Sequence, residues 1–264
     1  MGLLLSMRKN LVMQIFWKPF QWLYCVYAMT LFVLLMLIIF PFALLTTLFG
    51  HIKGGNMAYR LCMLWGDVWF FMIGIRHKNI FPAGKPGDKQ FVYVANHISY
   101  LDAAIIVKAI RKPVRPLGKA EMAKIPVFGF IYRNVIVTVD RSNALNRANS
   151  VRRLKAVLRK GISIFFFPEG TFNMTGQPLK NFYDGAFRIA IETNTPIKPV
   201  LFIDSYRRMH YRHIFTLNPG INRVIHLPEI EVTGYSLSEL DKLKEHVYGI
   251  MEDELRNWNV HWVK

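Results

Sequence analysis

A long uncharged apolar segment near the N terminus constrains this chain more than any other feature. No charged residue occurs in residues 21–50, and 28 of these form an almost continuous apolar run. A stretch of about 18 or more such residues is typical of a membrane helix. As one helix the run would be about 42 Å long, more than the roughly 30 Å hydrocarbon layer requires. We therefore predict a membrane anchor with a helix break at Pro41.

Two anchor geometries fit the sequence. One is a single tilted span, and the other is a helix to about Phe40 followed by a second helix that dips into the same leaflet. The second helix would cover residues 56–75, which are apolar and aromatic but include Arg60 and Asp67. These charges favour an interfacial helix over a full span, although a buried soluble helix would show the same pattern. A cleavable signal peptide fits poorly because the apolar region is too long.

The charge distribution favours an anionic membrane as a partner. The chain carries a net charge of +17, and residues 1–80 contain seven Lys and Arg against the single acid Asp67. Basic residues thus flank the apolar run on both sides, as anchoring at anionic headgroups requires. Neither zinc-finger spacing nor an aromatic RNA-binding signature is present, so we expect no nucleic-acid partner. Cys25 and Cys62 indicate neither a disulfide framework nor a metal site.

Beyond a Pro/Gly-rich linker at residues 82–89, short β-rich runs alternate with helical stretches. We predict strands at residues 91–95, 135–139, 162–167 and 197–203, and helices at residues 143–160 and 236–257. A capping box of Ser236 and Glu239 would begin the last helix. This alternation predicts an α/β fold, a single sheet covered by helices, with an N-terminal helical membrane anchor. The predicted boundary separates anchoring helices at residues 1–82 from an α/β domain at residues 83–264.

A histidine and an aspartate follow the first of these strands, in the sequence NHISYLD at residues 96–102. At a strand end of an open α/β sheet, His97 would lie where functional sites gather. A turn would bring Asp102 to one imidazole nitrogen and leave the other free to remove a hydroxyl proton. However, Ser99 and Asp102 also fit a capping box that only starts a helix. From these residues alone, both interpretations remain open.

Two further segments extend the motif. Residues 118–129 contain the pattern K-x-E-x4-P-x2-G, and residues 167–171 read FPEGT; a weaker block is IKPV at residues 197–200. In this order, with the N-H-x4-D pattern, they resemble the conserved blocks of the 1-acyl-sn-glycerol-3-phosphate acyltransferase family. The resemblance covers about residues 85–230. It identifies residues 83–264 as a glycerolipid acyltransferase domain.

The resemblance implies transfer of a fatty acyl group from a thioester to the free hydroxyl of a lysophospholipid. His97 would be the general base and Asp102 its orienting partner. The acceptor oxygen would attack the thioester directly, without a covalent acyl-enzyme. Backbone amides of Gly170 and Thr171 would stabilise the oxyanion, and Glu169 would hold the acceptor or the loop. The substrate-binding residues expected on this basis are Asn96, Lys119, Arg141, Glu169, Gly170 and Thr171.

One position departs from the family pattern. The FPEGT block is normally followed by an arginine that is taken to bind the acceptor phosphate, whereas here Phe172 and Asn173 follow it. A phenylalanine cannot make bidentate phosphate contacts. Either the acceptor is not a phosphate ester, or another cation replaces the arginine. The candidate cations are Lys119, Arg141, Lys180 and Arg188.

The leading hypothesis is synthesis of phosphatidic acid at the cytoplasmic face of the inner (plasma) membrane. We expect acyl-CoA or acyl carrier protein as donor, membrane lipids and a lysophospholipid as partners, and no metal or bound cofactor. Alternatives are acylation of another lysolipid, such as a lyso-aminolipid, and a non-catalytic lipid-binding protein. The joint presence of His97, Asp102 and Glu169 argues against the last. The pair His210 and His213 lacks a recognised metal-site spacing, and we interpret it as solvated or structural.

Overall fold

One seven-stranded sheet organises the protein. The structure, a computed structural model, describes residues 2–140 and 144–263. The strands are β1 (Ile75–Ile80), β2 (Val92–Ala95), β3 (Val114–Lys119), β4 (Val137–Val139), β5 (Ser163–Phe166), β6 (Ile197–Phe202) and β7 (Gly220–His226). They lie in the order β1-β7-β6-β2-β5-β3-β4, and only the β6–β7 pair is antiparallel. The carboxyl ends of β2, β3, β4, β5 and β6 therefore share one edge.

Helices cover both faces of this sheet, which confirms the predicted α/β class. They are α1 (Gly2–Thr46), α2 (Gly55–Met72), α3 (Asp102–Ala109), α4 (Phe128–Val135), α5 (Ala144–Leu158), α6 (Gly185–Thr193), α7 (Ser205–Arg208) and α8 (Leu240–Asn257). Strand β2 shows how the core divides. Tyr93 and Ala95 pack among α1 to α4, whereas Val92 and Val94 pack among α5, α6 and α8. The pleat sends alternate side chains to opposite faces, and both are buried.

The first two helices form an antiparallel hairpin on one face of the domain. Trp69 Nε1 donates to the Ala28 carbonyl (2.8 Å), and the Tyr24 hydroxyl donates to the Ile73 carbonyl (2.6 Å). The outward side of the hairpin remains apolar and exposed, and Phe71 there is 85% exposed. The described part of the hairpin includes one helix that is long and apolar enough to cross a membrane.

A buried arginine ties the hairpin turn to the sheet. Arg115 of β3 is 4% exposed, and its Nη2 donates to Asn56 Oδ1 (2.8 Å) and to the Ile52 carbonyl (3.3 Å). Gly55 makes this approach possible, because a Cβ there would lie 2.5 Å from Arg115 Nη2. Oxygen acceptors on the turn thus satisfy part of a buried guanidinium, and the turn is held against the domain.

Several details differ from the sequence-based predictions. Pro41 does not break α1, which continues to Thr46. Only part of residues 135–139 is strand, because Val135 ends α4. Both hydrogen bonds of the predicted Ser236–Glu239 capping box are present, but they begin a 3-10 turn at Leu237–Glu239, and α8 follows directly from Leu240.

Strand β1 was missed by the sequence analysis. It lies before residue 83, so the sheet includes residues that were predicted to belong to the anchor. The division into anchoring helices at residues 1–82 and an α/β domain at residues 83–264 stays a prediction. Its sequence IRHKNI does not alternate clearly between apolar and polar residues. It is an edge strand, and charged residues are common on such strands.

Candidate active site

The predicted motifs meet at the carboxyl edge of the sheet. His97 follows β2, Glu169 follows β5, and Lys119 is the last residue of β3. Because β2, β5 and β3 are parallel neighbours, three segments distant in sequence end side by side. Arg141 follows β4 but lies outside the described residues. Such an edge is where open α/β sheets place their sites.

His97 and Asp102 form the centre of this edge. The Asp102 oxygen Oδ2 accepts three hydrogen bonds, from His97 Nδ1 (2.9 Å) and from the backbone N–H groups of Ile98 (2.7 Å) and Ser99 (2.8 Å). Because the Asp102 carboxylate accepts the hydrogen bond from Nδ1, that nitrogen carries the hydrogen and Nε2 keeps its lone pair. Nε2 has no hydrogen-bond partner within the described chain. His97 can therefore act as a base, and Asp102 can stabilise the imidazolium that forms.

The helix-cap and base-orienting interpretations of Asp102 are not exclusive, because the Ser99 N–H and His97 Nδ1 both donate to its Oδ2. Helix α3 begins at Asp102 itself, its N-cap residue is Leu101, and no side chain caps it. Ser99 instead donates through Oγ to the Met209 carbonyl (2.5 Å) and accepts from the Leu101 N–H (3.0 Å). The side chain of Asp102 is fully buried. Ser99 and Asp102 thus order the turn that leads into α3, and the same carboxylate holds His97.

Glu169 fixes the position of the histidine from the other side. Its Oε1 accepts from the His97 N–H (2.8 Å), and its Oε2 accepts from the Lys180 N–H (2.9 Å). Burial raises the pKa of Glu169 from its ordinary value of 4.5 to about 8; the backbone donors lower it and the nearby Asp102 charge raises it further. The carboxylate thus joins the β2 loop to the β5 loop instead of facing a substrate. Of its two predicted roles, holding the loop fits this geometry.

Asn96 is also a positioning residue. Its Nδ2 donates to the Phe202 carbonyl (3.1 Å), and its Oδ1 accepts from the Phe202 N–H (2.8 Å). This reciprocal pair joins the carboxyl ends of β2 and β6, one residue before His97. The side chain is 1% exposed, so the structure places it behind the site and not against a substrate.

Aromatic rings enclose the imidazole. Phe167 stacks on His97 with ring centroids 4.0 Å apart and planes 10° apart, while Phe172 meets it edge-on at 4.5 Å. Tyr100 packs against the other side of Phe172 at 4.8 Å. The position where the family places an arginine is thus used here to pack the predicted base.

The loop after β5 contains the predicted oxyanion donors. The Gly170 amide donates to the Phe167 carbonyl (3.0 Å), and Gly170 has a positive φ of 74°. Its amide therefore closes a turn, which does not fit the predicted oxyanion contact. The Thr171 amide has no hydrogen-bond partner among the residues described, and Thr171 Oγ1 accepts from Lys180 Nζ (2.8 Å). Of the two amides, only that of Thr171 is without a partner among the described residues and so can donate to an oxyanion.

Phe167 and Asn173 were not identified from the sequence as contributors to the site, and Lys180 was named there only as a candidate cation. Phe167 had a signal, since it directly precedes Pro168 at the end of β5. Asn173 had none, and neither did the contact of Lys180 with Glu169, because the loop must close before they reach the site. The Asn173 N–H donates to the His97 carbonyl (2.7 Å), and Asn173 Oδ1 accepts from the Thr175 N–H (3.0 Å). These bonds fold the loop back so that Lys180 returns to Glu169.

Two cavities lie on opposite faces of the sheet near this edge. A cavity of about 520 Å³ runs between α5 and α6 and reaches Phe167 and Gly170. A smaller cavity of about 140 Å³ lies beneath α1 and α2, and its lining includes Trp65, Ala104 and Ile131. Its lining is almost entirely apolar and includes Ala103, the residue that directly follows Asp102.

Comparisons with known proteins agree with this arrangement. The family described as Acyltransferase matches residues 73–203. The 1-acyl-sn-glycerol-3-phosphate acyltransferase of Salmonella typhimurium is 31% identical over 182 residues, which cover 65% of this chain and 71% of the relative. The Escherichia coli protein of the same name is 30% identical over 179 residues, with the same coverage of both chains.

A solved structure shares the fold. The crystal structure of the 1-acyl-sn-glycerophosphate acyltransferase of Thermotoga maritima superposes with a TM-score of 0.71. It covers 94% of this chain and 98% of that one at 21% identity. At this identity the likeness shows the fold alone.

Replacing Asp102 with asparagine should separate its electrostatic role from its structural one. In Asp102→Asn the amide oxygen still accepts the three N–H groups, but the negative charge that stabilises the imidazolium is lost. We expect kcat for acyl transfer to fall on the order of 10²–10⁴-fold with little change in Tm. Asp102→Ala should also lower stability by about 1–3 kcal/mol for each donor left without a partner. Full activity of Asp102→Asn would contradict the assigned role.

Glu169 should make stability depend on pH. Its pKa is higher in the folded protein, about 8, than the ordinary 4.5, so the folded state binds this proton more tightly. Its contribution to stability is therefore present below about 4.5 and lost as the pH rises to about 8. Thermal unfolding across this interval should show a steeper fall in Tm for the wild type than for Glu169→Gln, which cannot ionise. Equal slopes would show that Glu169 does not titrate there.

Proposed function

This chain belongs to the 1-acyl-sn-glycerol-3-phosphate acyltransferase family, and from that membership we propose that it acylates the free hydroxyl of 1-acyl-glycerol-3-phosphate to give phosphatidic acid. The observation that carries the proposal is the His97–Asp102 pair, in which a buried carboxylate holds Nδ1 and Nε2 has no hydrogen-bond partner among the residues that the structure describes. An acyltransferase that uses no covalent intermediate needs such a base beside the acceptor hydroxyl.

The proposed reaction has two steps at one centre. The acceptor hydroxyl gives its proton to His97 Nε2 as its oxygen bonds to the thioester carbonyl carbon. The carbonyl oxygen becomes an oxyanion, which the Thr171 amide stabilises. The intermediate then collapses, the carbon–sulfur bond breaks, and the departing thiolate receives the proton from the imidazolium. Asp102 stabilises the imidazolium between the two steps.

The donor in this proposal is acyl-CoA or acyl carrier protein, which carry the same phosphopantetheine arm. The cavity between α5 and α6 suits that arm, because it lies on the face away from the apolar hairpin and ends beside Phe167. The acyl chain would occupy the apolar cavity beneath α1 and α2. The first cavity includes Arg147 and Ser150 among mainly apolar residues, whereas the lining of the second is almost entirely apolar.

The proposed location is the cytoplasmic face of the inner (plasma) membrane, with the hairpin held in one leaflet. The hairpin packs along the domain instead of projecting from it, which supports insertion from one side. Its exposed apolar side would then lie among the acyl chains.

Among the described candidate cations, we propose that Lys180 replaces the missing arginine. Its backbone is fixed to His97 through the two oxygens of Glu169, and its Nζ lies 2.8 Å from Thr171 Oγ1. It forms no salt bridge among the described residues, so its charge remains available to an anion. An ammonium group suits a phosphate as a point charge.

An acceptor panel tests the proposed function. Purified protein should release thiol from acyl-CoA or acyl carrier protein only when 1-acyl-glycerol-3-phosphate is added, with phosphatidic acid as the product. His97→Ala should reduce the rate on the order of 10²–10⁴-fold, which is the usual contribution of a general base. Full activity of this variant would refute the mechanism. Acylation of a phosphate-free lysolipid in preference to the phosphate ester would refute the acceptor.

A second prediction concerns the acceptor phosphate. Lys180→Met removes the ammonium group but keeps the backbone N–H that holds Glu169. The KM for 1-acyl-glycerol-3-phosphate should rise about tenfold or more, because hydrogen bonds to charged groups contribute about 1.5–3 kcal/mol. Arg188→Met, an exposed cation on α6, is the matched control and should leave KM unchanged. An unchanged KM in Lys180→Met would exclude the assigned contact.

Phe172 favours one alternative acceptor. Since it places an aromatic ring where the family has a phosphate-binding arginine, a lysolipid without a phosphate, such as a lyso-aminolipid, is the second candidate. The acceptor panel separates the two candidates. The alternative also requires Lys180→Met to leave the KM of the preferred acceptor unchanged.

A further inference from the structure

The connection between β6 and β7 presents a basic and aromatic surface. Arg207, Arg212 and His213 are exposed, Phe215 is 40% exposed, and Trp22 of α1 stacks near Phe215 with ring centroids 6.2 Å apart and is 53% exposed. These five residues are called the β6–β7 surface below. Together they combine positive charge with aromatic rings, which is the pairing found at membrane–water interfaces.

The charge of this surface is of one sign. Residues 205–228 contain no Asp or Glu. The preceding acid, Asp204, is already bound to Arg223 at 2.7 Å. Among the described residues, neither Arg207 nor Arg212 has a carboxylate partner. The surface therefore complements an anion and is not neutralised by its own protein.

Hydrogen bonds hold this connection in a compact form. Thr216 Oγ1 accepts from the His210 N–H (2.8 Å) and donates to the His213 carbonyl (2.7 Å). Asn218 Nδ2 donates to the Arg207 carbonyl (2.8 Å). The cations are thus presented by an ordered segment, so little conformational entropy is lost when it meets a flat partner.

The β6–β7 surface lies between the apolar anchor and the catalytic loop. On one side, Gln21 Nε2 donates to the Thr216 carbonyl (3.3 Å), and Cys25 Sγ donates to the Leu217 carbonyl (3.4 Å). On the other side, Ser99 Oγ donates to the Met209 carbonyl, within the NHISYLD segment that contains His97. Whatever binds this surface is therefore adjacent to both the anchor and the base.

We propose that the β6–β7 surface binds the anionic headgroup layer of the membrane and sets the catalytic edge at the bilayer surface. An anionic lipid bilayer is the one partner that matches the positive charge and also continues the exposed apolar side of α1. An acidic protein would match the charge but not the apolar continuation. The basic residues of α5 differ in this respect, because α5 covers the opposite face of the sheet from the anchor. This contact goes beyond the proposed function, since it does not depend on which lysolipid is acylated.

Cysteine labelling tests the contact without using enzymatic activity. The two native cysteines, Cys25 and Cys62, are buried, so a water-soluble maleimide should report mainly on an introduced thiol. Phe215→Cys places a thiol on the β6–β7 surface, and Leu145→Cys places one on α5, where Leu145 is 64% exposed. Each full-length variant is added to vesicles of phosphatidylcholine alone or of phosphatidylcholine mixed with phosphatidylglycerol.

We expect the anionic vesicles to slow labelling of Phe215→Cys severalfold relative to neutral vesicles and to leave Leu145→Cys unchanged. Equal labelling of Phe215→Cys in both vesicles would overturn the proposal, as would equal protection of Leu145→Cys. Protection that appears only on adding an acidic carrier protein would also overturn it and would assign the surface to a protein partner.

Charge variants test whether the arginines cause the protection. Arg207→Gln with Arg212→Gln in the Phe215→Cys protein should restore fast labelling, because each basic residue near an anionic surface contributes roughly fivefold to binding. Arg152→Gln with Arg153→Gln on α5 is the matched control and should not restore it. High salt should also restore labelling. Protection that persists after both β6–β7 substitutions would contradict an electrostatic contact with headgroups.

Discussion

The site depends first on Glu169, a buried carboxyl group whose two oxygens accept one backbone N–H from each of two loops. His97 and Lys180 donate to its two oxygens, so one side chain sets the distance between the β2 and β5 loops. Asp102 then performs the same task within the β2 loop, through three N–H groups on one oxygen. Buried carboxylates are costly unless hydrogen bonds compensate them. Here the hydrogen bonds that compensate the burial also order the backbone that positions the imidazole.

The sheet separates an apolar environment from a more polar one. The hairpin of α1 and α2 covers one face and leaves its outer side apolar, while α5, α6 and α8 cover the other. Both faces meet at the carboxyl edge that carries His97. An acyltransferase with this arrangement can receive a lipid from one side of the edge and a water-soluble thioester from the other, without moving either substrate through the domain.

Phe172 and Lys180 show how the family pattern has been rearranged. The ring of Phe172 packs edge-on against His97, so the position after FPEGT now supports the base. A cation returns to the same loop through Lys180, whose Nζ reaches Thr171. Under the proposed assignment, Phe172 supplies packing at this loop and Lys180 supplies the positive charge.

Much of this protein was readable from the sequence alone. The uncharged apolar run indicated the anchor, the alternation of strands and helices indicated the α/β sheet, and three ordered motifs indicated the family. These signals are local, since each depends on composition or spacing within a short segment. The tertiary structure decided everything that required distant segments to meet. It alone placed β1 beside β7, folded the loop of Asn173 so that Lys180 reaches Glu169, and showed that Asp102 holds His97 as well as the turn before α3. It also kept α1 continuous through Pro41. Hydrogen bonds between residues far apart in the chain have no periodic signature, so only the folded protein reveals them.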